Sequence, residues 1–180
     1  WSAIVVSFLP FVRSEGLLII GVFGLLFLIQ KNWKAIASLS VGHIVLGLAG
    51  WFHHGTPFWV MTRIPYATTD SVYGSGTLFS MVDRLYFVIG IPVTILLILG
   101  VISILPKTMI YLKGAKAAIL VALGCVVAML LFHTFAWYAG MFNSMGLKRV
   151  FVAIIPCIGI IGLVGFNSIE NLAVKIHEKA

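Results

Sequence analysis

The sequence predicts an all-α, polytopic membrane protein in which five full transmembrane helices follow one partial helix. Composition is the first reason: 61% of the residues are hydrophobic and only 9% are charged, whereas soluble domains carry about 25% charged residues. The second reason is the recurrence of apolar stretches of about 18 residues or more, long enough to cross a hydrocarbon core of about 30 Å. The charged residues cluster at the ends of these stretches, as topology and lipid contact require.

The first elements lie at the start of the chain. WSAIVVSFLPFV is apolar but too short to span, and it has neither the basic leader nor the cleavage site of a signal peptide. We expect it to be the second half of a helix, and residues 1–180 to be one transmembrane domain within a longer chain. The first full span begins near Ser14, has its apolar centre at 17–29 and ends at the polar turn QKNWK. The second runs over about 35–52 and ends at HHG.

A long loop and three more spans complete the prediction. The loop, residues 51–82, holds prolines, glycines and the cluster TTDS, all of which favour turns. Spans at about 85–105 and 117–141 are joined by the basic connection KTMIYLKGAK. The fifth covers about 150–166, and the tail NSIENLAVKIHEKA has apolar residues at helical spacing, which predicts an amphipathic helix.

The cations divide by type between the two predicted sides of the membrane, because consecutive spans place their connections on alternate sides. One side carries seven lysines and no arginine: Lys31, Lys34, Lys107, Lys113, Lys116, Lys175 and Lys179. The other carries four arginines and one lysine: Arg13, Arg63, Arg84, Arg149 and Lys148. The excess of cations predicts that the lysine side is cytoplasmic. Loop 53–82 would then face the non-cytoplasmic side of an inner or plasma membrane.

Lys148 and Arg149 are neighbours at the mouth of the fifth span, in NSMGLKRV, with no acid nearby in sequence. A guanidinium presents a planar fork of donors that matches phosphate oxygens. One hypothesis is that these residues bind a lipid-linked phosphate or pyrophosphate at the level of the headgroups. The alternative is that they are snorkelling anchors at a helix end.

Two further stretches on the same predicted side carry candidate substrate-binding residues. Arg13 and Glu15 bracket a turn in FVRSEG, where they either face a substrate cavity or form a local ion pair or helix cap. His53 and His54 follow the second span in HHGTPFW. They could hydrogen-bond a sugar or phosphate if they lie in a loop, or they are interface residues with no specific role.

The stretch YATTDSVYGSG is the most polar in the chain. Asp70 and Tyr73 could hydrogen-bond the hydroxyl groups of a sugar, and the glycines allow close backbone approach. The alternative is an ordered turn. No Gly-Lys-Ser/Thr follows, so the stretch is not a phosphate-binding P-loop.

The remaining ionisable residues favour a structural role. The adjacent histidines have no further His or Cys at metal-ligand spacing, so we expect no metal ion and no cofactor. Cys125 and Cys157 lie inside apolar runs and are interpreted as small core residues. His43 and His133 also lie within spans, where a neutral histidine can hydrogen-bond across helices. We assign the net charge of +7 to lipid contacts and expect no nucleic-acid partner.

Three of these stretches together resemble the GT-C class of membrane glycosyltransferases. FVRSEG resembles the family's Leu-x-Arg-Pro-Glu-Gly, with Ser14 in place of proline, and PYATTDSVYGSG resembles its outer loop. SMGLKRVFVAIIP resembles Gly-x-x-Arg-Tyr-x-x-x-x-x-Pro: Gly146, Arg149 and Pro156 match, and Val150 stands where tyrosine is common. The resemblance covers about residues 8–161 and identifies the chain as the C-terminal part of such an enzyme.

The resemblance implies transfer of a sugar from a polyprenyl-phosphate donor to an acceptor on the non-cytoplasmic face, with Arg149 at the donor phosphate. It also implies a catalytic acid, usually an aspartate, in a first outer loop that has no counterpart in this sequence, so we expect that residue outside this segment. One alternative is a non-catalytic membrane subunit that scaffolds a larger complex with other membrane proteins. A transporter or flippase is another, although repeats and midplane charges typical of transporters are not evident.

Overall fold

The computed structural model describes residues 1–63, 71–112 and 114–178, and these contain helices and turns but no β-strand. The all-α prediction is therefore confirmed for the described residues. The chain divides into two compact units. The first unit comprises Trp1–Asp70 and Met141–Asn143, and the second comprises Ser71–Gly140 and Ser144–Ala180. Each unit is described by itself.

The first unit contains six helices among its described residues. They are α1 (Ser2–Val6), α2 (Leu9–Val12), α3 (Gly16–Ile29), α4 (Trp33–Ser38), α5 (Val41–His54) and α6 (Trp59–Thr62). Asn32 begins α4, because its Oδ1 accepts a hydrogen bond from the backbone N–H of Ala35 at 3.2 Å. Gly55, with φ of 74°, ends α5 in the left-handed conformation that favours glycine.

The core of the first unit joins α1, α3 and α4. It is built on the buried side chains of Ala3, Val6, Phe27 and Leu39. Ser7, fully buried at the break between α1 and α2, donates to the carbonyl of Ile4 at 2.6 Å and accepts from the N–H of Gly42 at 2.8 Å. The buried hydroxyl of Ser7 is therefore fully hydrogen-bonded, and its bond to Gly42 holds the break between α1 and α2 against the first turn of α5.

The second unit contains three long helices and several short ones among its described residues. The α-helices are α7 (Ser80–Ile104), α8 (Thr108–Tyr111), α9 (Ala117–Tyr138) and α10 (Ile155–His177). Short 3₁₀ helices occupy Leu105–Lys107, Gly114–Lys116 and Lys148–Ile154. A kink interrupts α7 at Gly90, whose φ of 72° and ψ of 171° are not helical, two residues before Pro92. Proline inside a helix removes a backbone hydrogen bond and is a frequent cause of such kinks.

Close packing of α7 against α10 holds the second unit together. A Cβ at Gly165 would lie 2.8 Å from the backbone nitrogen of Gly100 and would meet the carbonyl of Leu96. Ser103 and Ser168 share a hydrogen bond of 2.8 Å between the same helices. Small residues and interhelical hydrogen bonds are the usual means by which helices associate in lipid, where apolar side chains gain little from leaving the solvent.

Four helical segments in the described part of the chain are long and apolar enough to cross a membrane. They are Trp33–His54, Ser80–Tyr111, Ala117–Tyr138 and Lys148–His177. These segments correspond to the second through fifth predicted spans. The first predicted span is α3, whose 14 residues rise about 21 Å at about 1.5 Å each, short of the ~30 Å core. The predicted count of five full spans is therefore not confirmed.

Large apolar side chains point outward along these segments. Phe52 is 99% exposed, Phe87 70%, Leu131 65% and Leu163 64%. Soluble monomers seldom expose large apolar patches, whereas lipid tails accept exposed apolar side chains. Together with the four long apolar helices, this surface supports assignment as a membrane protein.

The structure also changes the limits of the predicted loop and of the last span. The predicted loop 51–82 includes the end of α5, all of α6 and the start of α7 at Ser80, while its residues 64–70 lie outside the described part. The last span begins as the 3₁₀ helix Lys148–Ile154 and continues in α10 to His177, so the predicted tail helix is part of the same rod.

Candidate functional site

Two polar segments of the second unit, residues 71–77 and 144–147, are hydrogen-bonded to each other, and the first is also bonded to Trp137 and Gly140 at the end of α9. The N–H of Ser71 donates to the carbonyl of Gly140 at 2.7 Å, and the N–H of Gly76 donates to the carbonyl of Trp137 at 3.0 Å. The hydroxyl of Ser71 donates to the carbonyl of Ser144 at 3.2 Å. The structure therefore brings the last part of YATTDSVYGSG to the stretch that precedes Lys148 and Arg149.

Arg84 and Trp137 lie together beneath these segments. Arg84 is half-buried in the second turn of α7, and its Cζ is 5.3 Å from the ring centroid of Trp137, near the end of α9. Cation–π geometry of this kind stabilises a partly desolvated guanidinium. Arg84 Nη1 and Trp137 Nε1 are both buried, and neither has a hydrogen-bond acceptor among the described residues. Buried donors are nearly always paired in native proteins. Two unpaired donors side by side are therefore unusual and make this position a candidate binding site.

Lys148 and Arg149 open the last membrane-spanning segment, as the sequence predicted. They are the first two residues of the 3₁₀ helix Lys148–Ile154, and both are exposed. Lys148 Nζ is 5.1 Å from the ring centroid of Phe87, whereas Arg149 makes no ion pair or hydrogen bond with the described residues. A 3₁₀ run of seven residues is longer than the usual three or four. Both cations are available to an anion, or to lipid headgroups.

Tyr73 and Asp70 were predicted to contact a sugar. Tyr73 is 52% exposed, in the turn where its N–H donates to the hydroxyl of Ser71 at 3.2 Å. Asp70 lies outside the described residues. Tyr73 thus lies in the segment that is hydrogen-bonded to the stretch just before Lys148 and Arg149, and its predicted contact with a sugar stays a prediction.

Arg13 and Glu15 contact each other in the turn between α2 and α3. Arg13 Nη2 is 2.8 Å from Glu15 Oε1, and Arg13 Nε is 3.3 Å from Oε2, which makes a two-point ion pair. The Arg13 side chain is 47% exposed and that of Glu15 is 17% exposed. This geometry matches the local ion pair that the sequence left as an alternative to a substrate contact. An ion pair this exposed contributes about 1 kcal/mol or less to stability.

His53 and His54 are the last two residues of α5. The predicted contact with a sugar or phosphate required both to lie in a loop, and they do not. Their rings meet edge to face, with centroids 4.9 Å apart. His54 stacks on Trp59 at 4.4 Å, and Arg63 Nη2 donates to its carbonyl at 3.3 Å. His54 is therefore held by the packing of α5 against α6, while His53 remains exposed.

The histidines inside the spans are packed by aromatic rings. His43 lies 5.1 Å from the ring of Phe11 in the first unit, and its buried Nε2 has no hydrogen-bond partner among the described residues. His133 is 8% exposed and contacts Phe132. No group of three or more His, Cys, Asp or Glu side chains in the described part of the chain could hold a metal ion. Cys125 is buried, Cys157 is half-buried, and both are free thiols.

The predicted site residues thus fall into separate sets. Arg13 pairs with Glu15 and His53 contacts His54 in the first unit, while Tyr73, Lys148 and Arg149 belong to the second. Convergence of all of them on one cavity stays a prediction.

Sequence reasoning missed Arg84 and Trp137 as site residues. Arg84 was grouped only with the other arginines of its predicted side. The signal that could have found it is an arginine placed where the long apolar run of α7 begins. Its pairing with Trp137, 53 residues later, had no local signature.

No protein-family model, no curated protein and no solved structure matches this chain.

Proposed function

We propose that this chain is the membrane part of a glycosyltransferase that transfers a sugar from a polyprenyl-phosphate donor to an acceptor on the non-cytoplasmic face. The observation that supports this most directly is the pair of exposed cations at the entrance of the last apolar segment. Lys148 and Arg149 have no acidic partner among the described residues, and Arg149 occupies the place of the arginine in the family pattern that the sequence resembles.

The chemistry of such a transfer fits a guanidinium at this position. The leaving group is a phosphate attached to a lipid, and its negative charge grows as the bond from the sugar to the phosphate oxygen breaks. A fixed cation aimed at those oxygens stabilises the transition state more than the ground state. The apolar surfaces of the adjoining helix would accommodate the polyprenyl chain in the bilayer. We assign no general base among the described residues.

The test is binding of a C55 polyprenyl phosphate to the purified full chain in nanodiscs, with Arg149→Ala compared with the unaltered protein. Losing a charge-assisted hydrogen bond costs about 1.5–3 kcal/mol, so we expect Kd to rise about tenfold or more with the thermal unfolding midpoint unchanged. Lys107→Ala is the matched control, because Lys107 is also an exposed cation of the second unit. Equal Kd values for Arg149→Ala and Lys107→Ala would make Arg149 an interface anchor.

Turnover provides the second arm of the test. The same proteins are assayed for release of polyprenyl phosphate from a polyprenyl-phosphate-linked sugar. Release that depends on Arg149 supports the enzyme. Binding of polyprenyl phosphate without any release from the linked sugar contradicts the enzyme. This outcome counts only if the protein is inactive both alone and with its native membrane partners.

A second candidate function is a non-catalytic membrane subunit that scaffolds a larger complex. The observation that favours it is the scarcity of acids available for catalysis. Glu15 is already engaged by Arg13, and Glu170 and Glu178 lie in the tail, on the predicted cytoplasmic side. Asp83, exposed at the start of α7, is the remaining acid among the described residues. In this case the chain would co-purify in fixed stoichiometry with other membrane proteins, and Arg149→Ala would leave that association intact.

A further inference from the structure

Arg84 and Trp137 present two N–H donors that lack acceptors. Arg84 Nη1 and Trp137 Nε1 are each buried, and no described residue accepts a hydrogen bond from either. An indole N–H is a donor only, and a guanidinium has five donors and no acceptor. Leaving such groups buried and unpaired costs free energy. A ligand that satisfies both must therefore offer acceptor atoms.

Two glycines let the polar segments close over this pair. A Cβ at Gly76 would fall on the pyrrole edge of Trp137, and a Cβ at Gly146 would fall on Arg84, 2.7 Å from its Cζ, and lie 2.9 Å from Trp137 Cε2. Gly146 is buried and has a φ of 56°. The donors are thus covered by the backbone of Gly76 and Gly146. Neither glycine has a side chain that could accept a hydrogen bond from them.

The local charge is net positive, because Arg84, Lys148 and Arg149 outnumber the one nearby acid, Asp83. The ion pair of Arg13 with Glu15 lies in the first unit, and Arg84 has no carboxylate partner among the described residues. Lys148 and Arg149 follow Gly146 by two and three residues, which keeps their Cα atoms within about 11 Å of that glycine at about 3.6 Å per residue. Three cations outnumber one acid, Asp83, which makes no ion pair among the described residues, and this excess favours a multiply charged anion over a neutral acceptor.

We propose that Arg84 and Trp137 form an oxyanion site that binds a phosphate group, with Arg84 Nη1 and Trp137 Nε1 as its hydrogen-bond donors. Lys148 and Arg149 attract the anion to this end of the unit. The inference deepens the proposed function and rests on it for the assignment of the natural ligand to a lipid-linked phosphate. The shared chemistry, oxygen atoms of a phosphate mono- or diester, would equally admit a free phosphate or pyrophosphate.

The experiment compares two conservative variants of the full chain in nanodiscs. Arg84→Gln removes the charge but keeps a polar side chain of similar reach, and Trp137→Phe removes the indole N–H while keeping an aromatic ring. Binding of inorganic pyrophosphate and of C55 polyprenyl phosphate is titrated for each. We expect Kd to rise about tenfold or more for Arg84→Gln and by a smaller factor for Trp137→Phe, because hydrogen bonds that involve a charge are stronger than neutral ones.

Matched controls separate this site from general effects of charge and of tryptophan loss. Arg63→Gln removes an arginine of the first unit that donates to the carbonyl of His54, and Trp33→Phe alters a tryptophan that is 64% exposed. Both should bind the probes like the unaltered protein. If Arg84→Gln does not fold, Trp137→Phe alone decides, because it deletes one donor and keeps an aromatic ring, and Trp33→Phe controls for the loss of the indole. Equal Kd values for Trp137→Phe and Trp33→Phe, in folded proteins, overturn the site.

The two probes distinguish the source of the phosphate. Binding of both, with the same dependence on Arg84 and Trp137, supports a site that accepts free as well as lipid-linked phosphate. Binding of polyprenyl phosphate alone supports a lipid-linked ligand.

The two proposals can also fail separately. Binding that depends on Arg84 and Trp137 without any sugar transfer supports the oxyanion site and contradicts the glycosyltransferase. Sugar transfer that depends on Arg149 but not on Arg84 or Trp137 supports the enzyme and overturns this site.

Discussion

Two constraints act together at Gly146: a left-handed backbone conformation and a lack of space for a side chain. Its φ of 56° places it in the left-handed region, and it is buried against the guanidinium of Arg84 and the indole of Trp137. Any side chain there would meet both constraints. Gly74 meets only the conformational constraint, since its φ is 79° but open space lies where a Cβ would stand.

Gly146→Ala is therefore expected to destabilise the protein more than Gly74→Ala. Both substitutions carry the backbone cost of a left-handed alanine, about 1 kcal/mol, but only alanine at 146 must displace Arg84 and Trp137. Overpacking of this kind costs about 1–3 kcal/mol more. Unfolding of both variants by SDS titration in mixed micelles measures the difference. Equal midpoints would show that Arg84 moves aside at no cost.

At the scale of elements, the second unit depends on the backbone contact between α7 and α10. Gly100 and Gly165 allow the two helices to approach, and the hydrogen bond between Ser103 and Ser168 lies on the same seam. The proposed oxyanion site lies where α7 begins and α9 ends, and the 3₁₀ helix that carries Lys148 and Arg149 continues into α10. Packing along these helices therefore positions the cations.

Gly165→Ala tests this dependence, with Gly159→Ala as a control in the same helix. An alanine Cβ at 165 would meet the carbonyl of Leu96 and the backbone of Gly100, whereas nothing lies within 4 Å of a Cβ at 159. We expect Gly165→Ala to lower the free energy of unfolding by about 1–3 kcal/mol. Gly159→Ala should be neutral or slightly stabilising, because alanine favours helix by about 1 kcal/mol over glycine.

SDS titration measures both variants of α10. A stable Gly165→Ala protein, with the same midpoint as Gly159→Ala, would contradict the close contact. Phosphate binding measured on the same samples shows whether loosening the seam also weakens the site.

At the scale of the whole molecule, the number of membrane crossings decides which polar groups share a side. The assignment of Arg13 and Glu15 to the side of Lys148 and Arg149 requires that α3 crosses the bilayer. Its 14 residues reach about 21 Å. A bilayer would have to become locally thinner for a helix of this length to cross it. The four longer segments carry no such requirement.

We expect α3 not to cross, so that Ser14 and Lys34 lie on the same side of the membrane. Single cysteines at these exposed positions, in a chain with Cys125 and Cys157 replaced by alanine, can be labelled with an impermeant maleimide in sealed vesicles. Both should react from one side. Labelling from opposite sides would restore the prediction of five full spans and place Arg13 with the arginines of the outer loop.

Much of this architecture could be predicted from the sequence because lipid imposes a simple constraint. Every backbone group must be paired within its own segment, so a long apolar run in a membrane is a helix. The helical class and the approximate spans at 35–52, 85–105, 117–141 and 150–166 follow from that constraint. The first span is not confirmed as a full crossing, because an apolar run near a length threshold does not reveal where its helix begins and ends.

The sequence by itself determined that the chain is helical, that its surface suits lipid, and that Lys148 and Arg149 stand at the mouth of an apolar helix. Only the tertiary structure decided which polar groups meet. It chose the local ion pair for Arg13 and Glu15 and placed His53 and His54 at the end of a helix, where the sequence had left alternatives open. It also brought Arg84 to Trp137 under Gly146, which no local pattern predicted. The physical reason is that helix formation is local, whereas contacts between residues far apart in the chain depend on how helices pack.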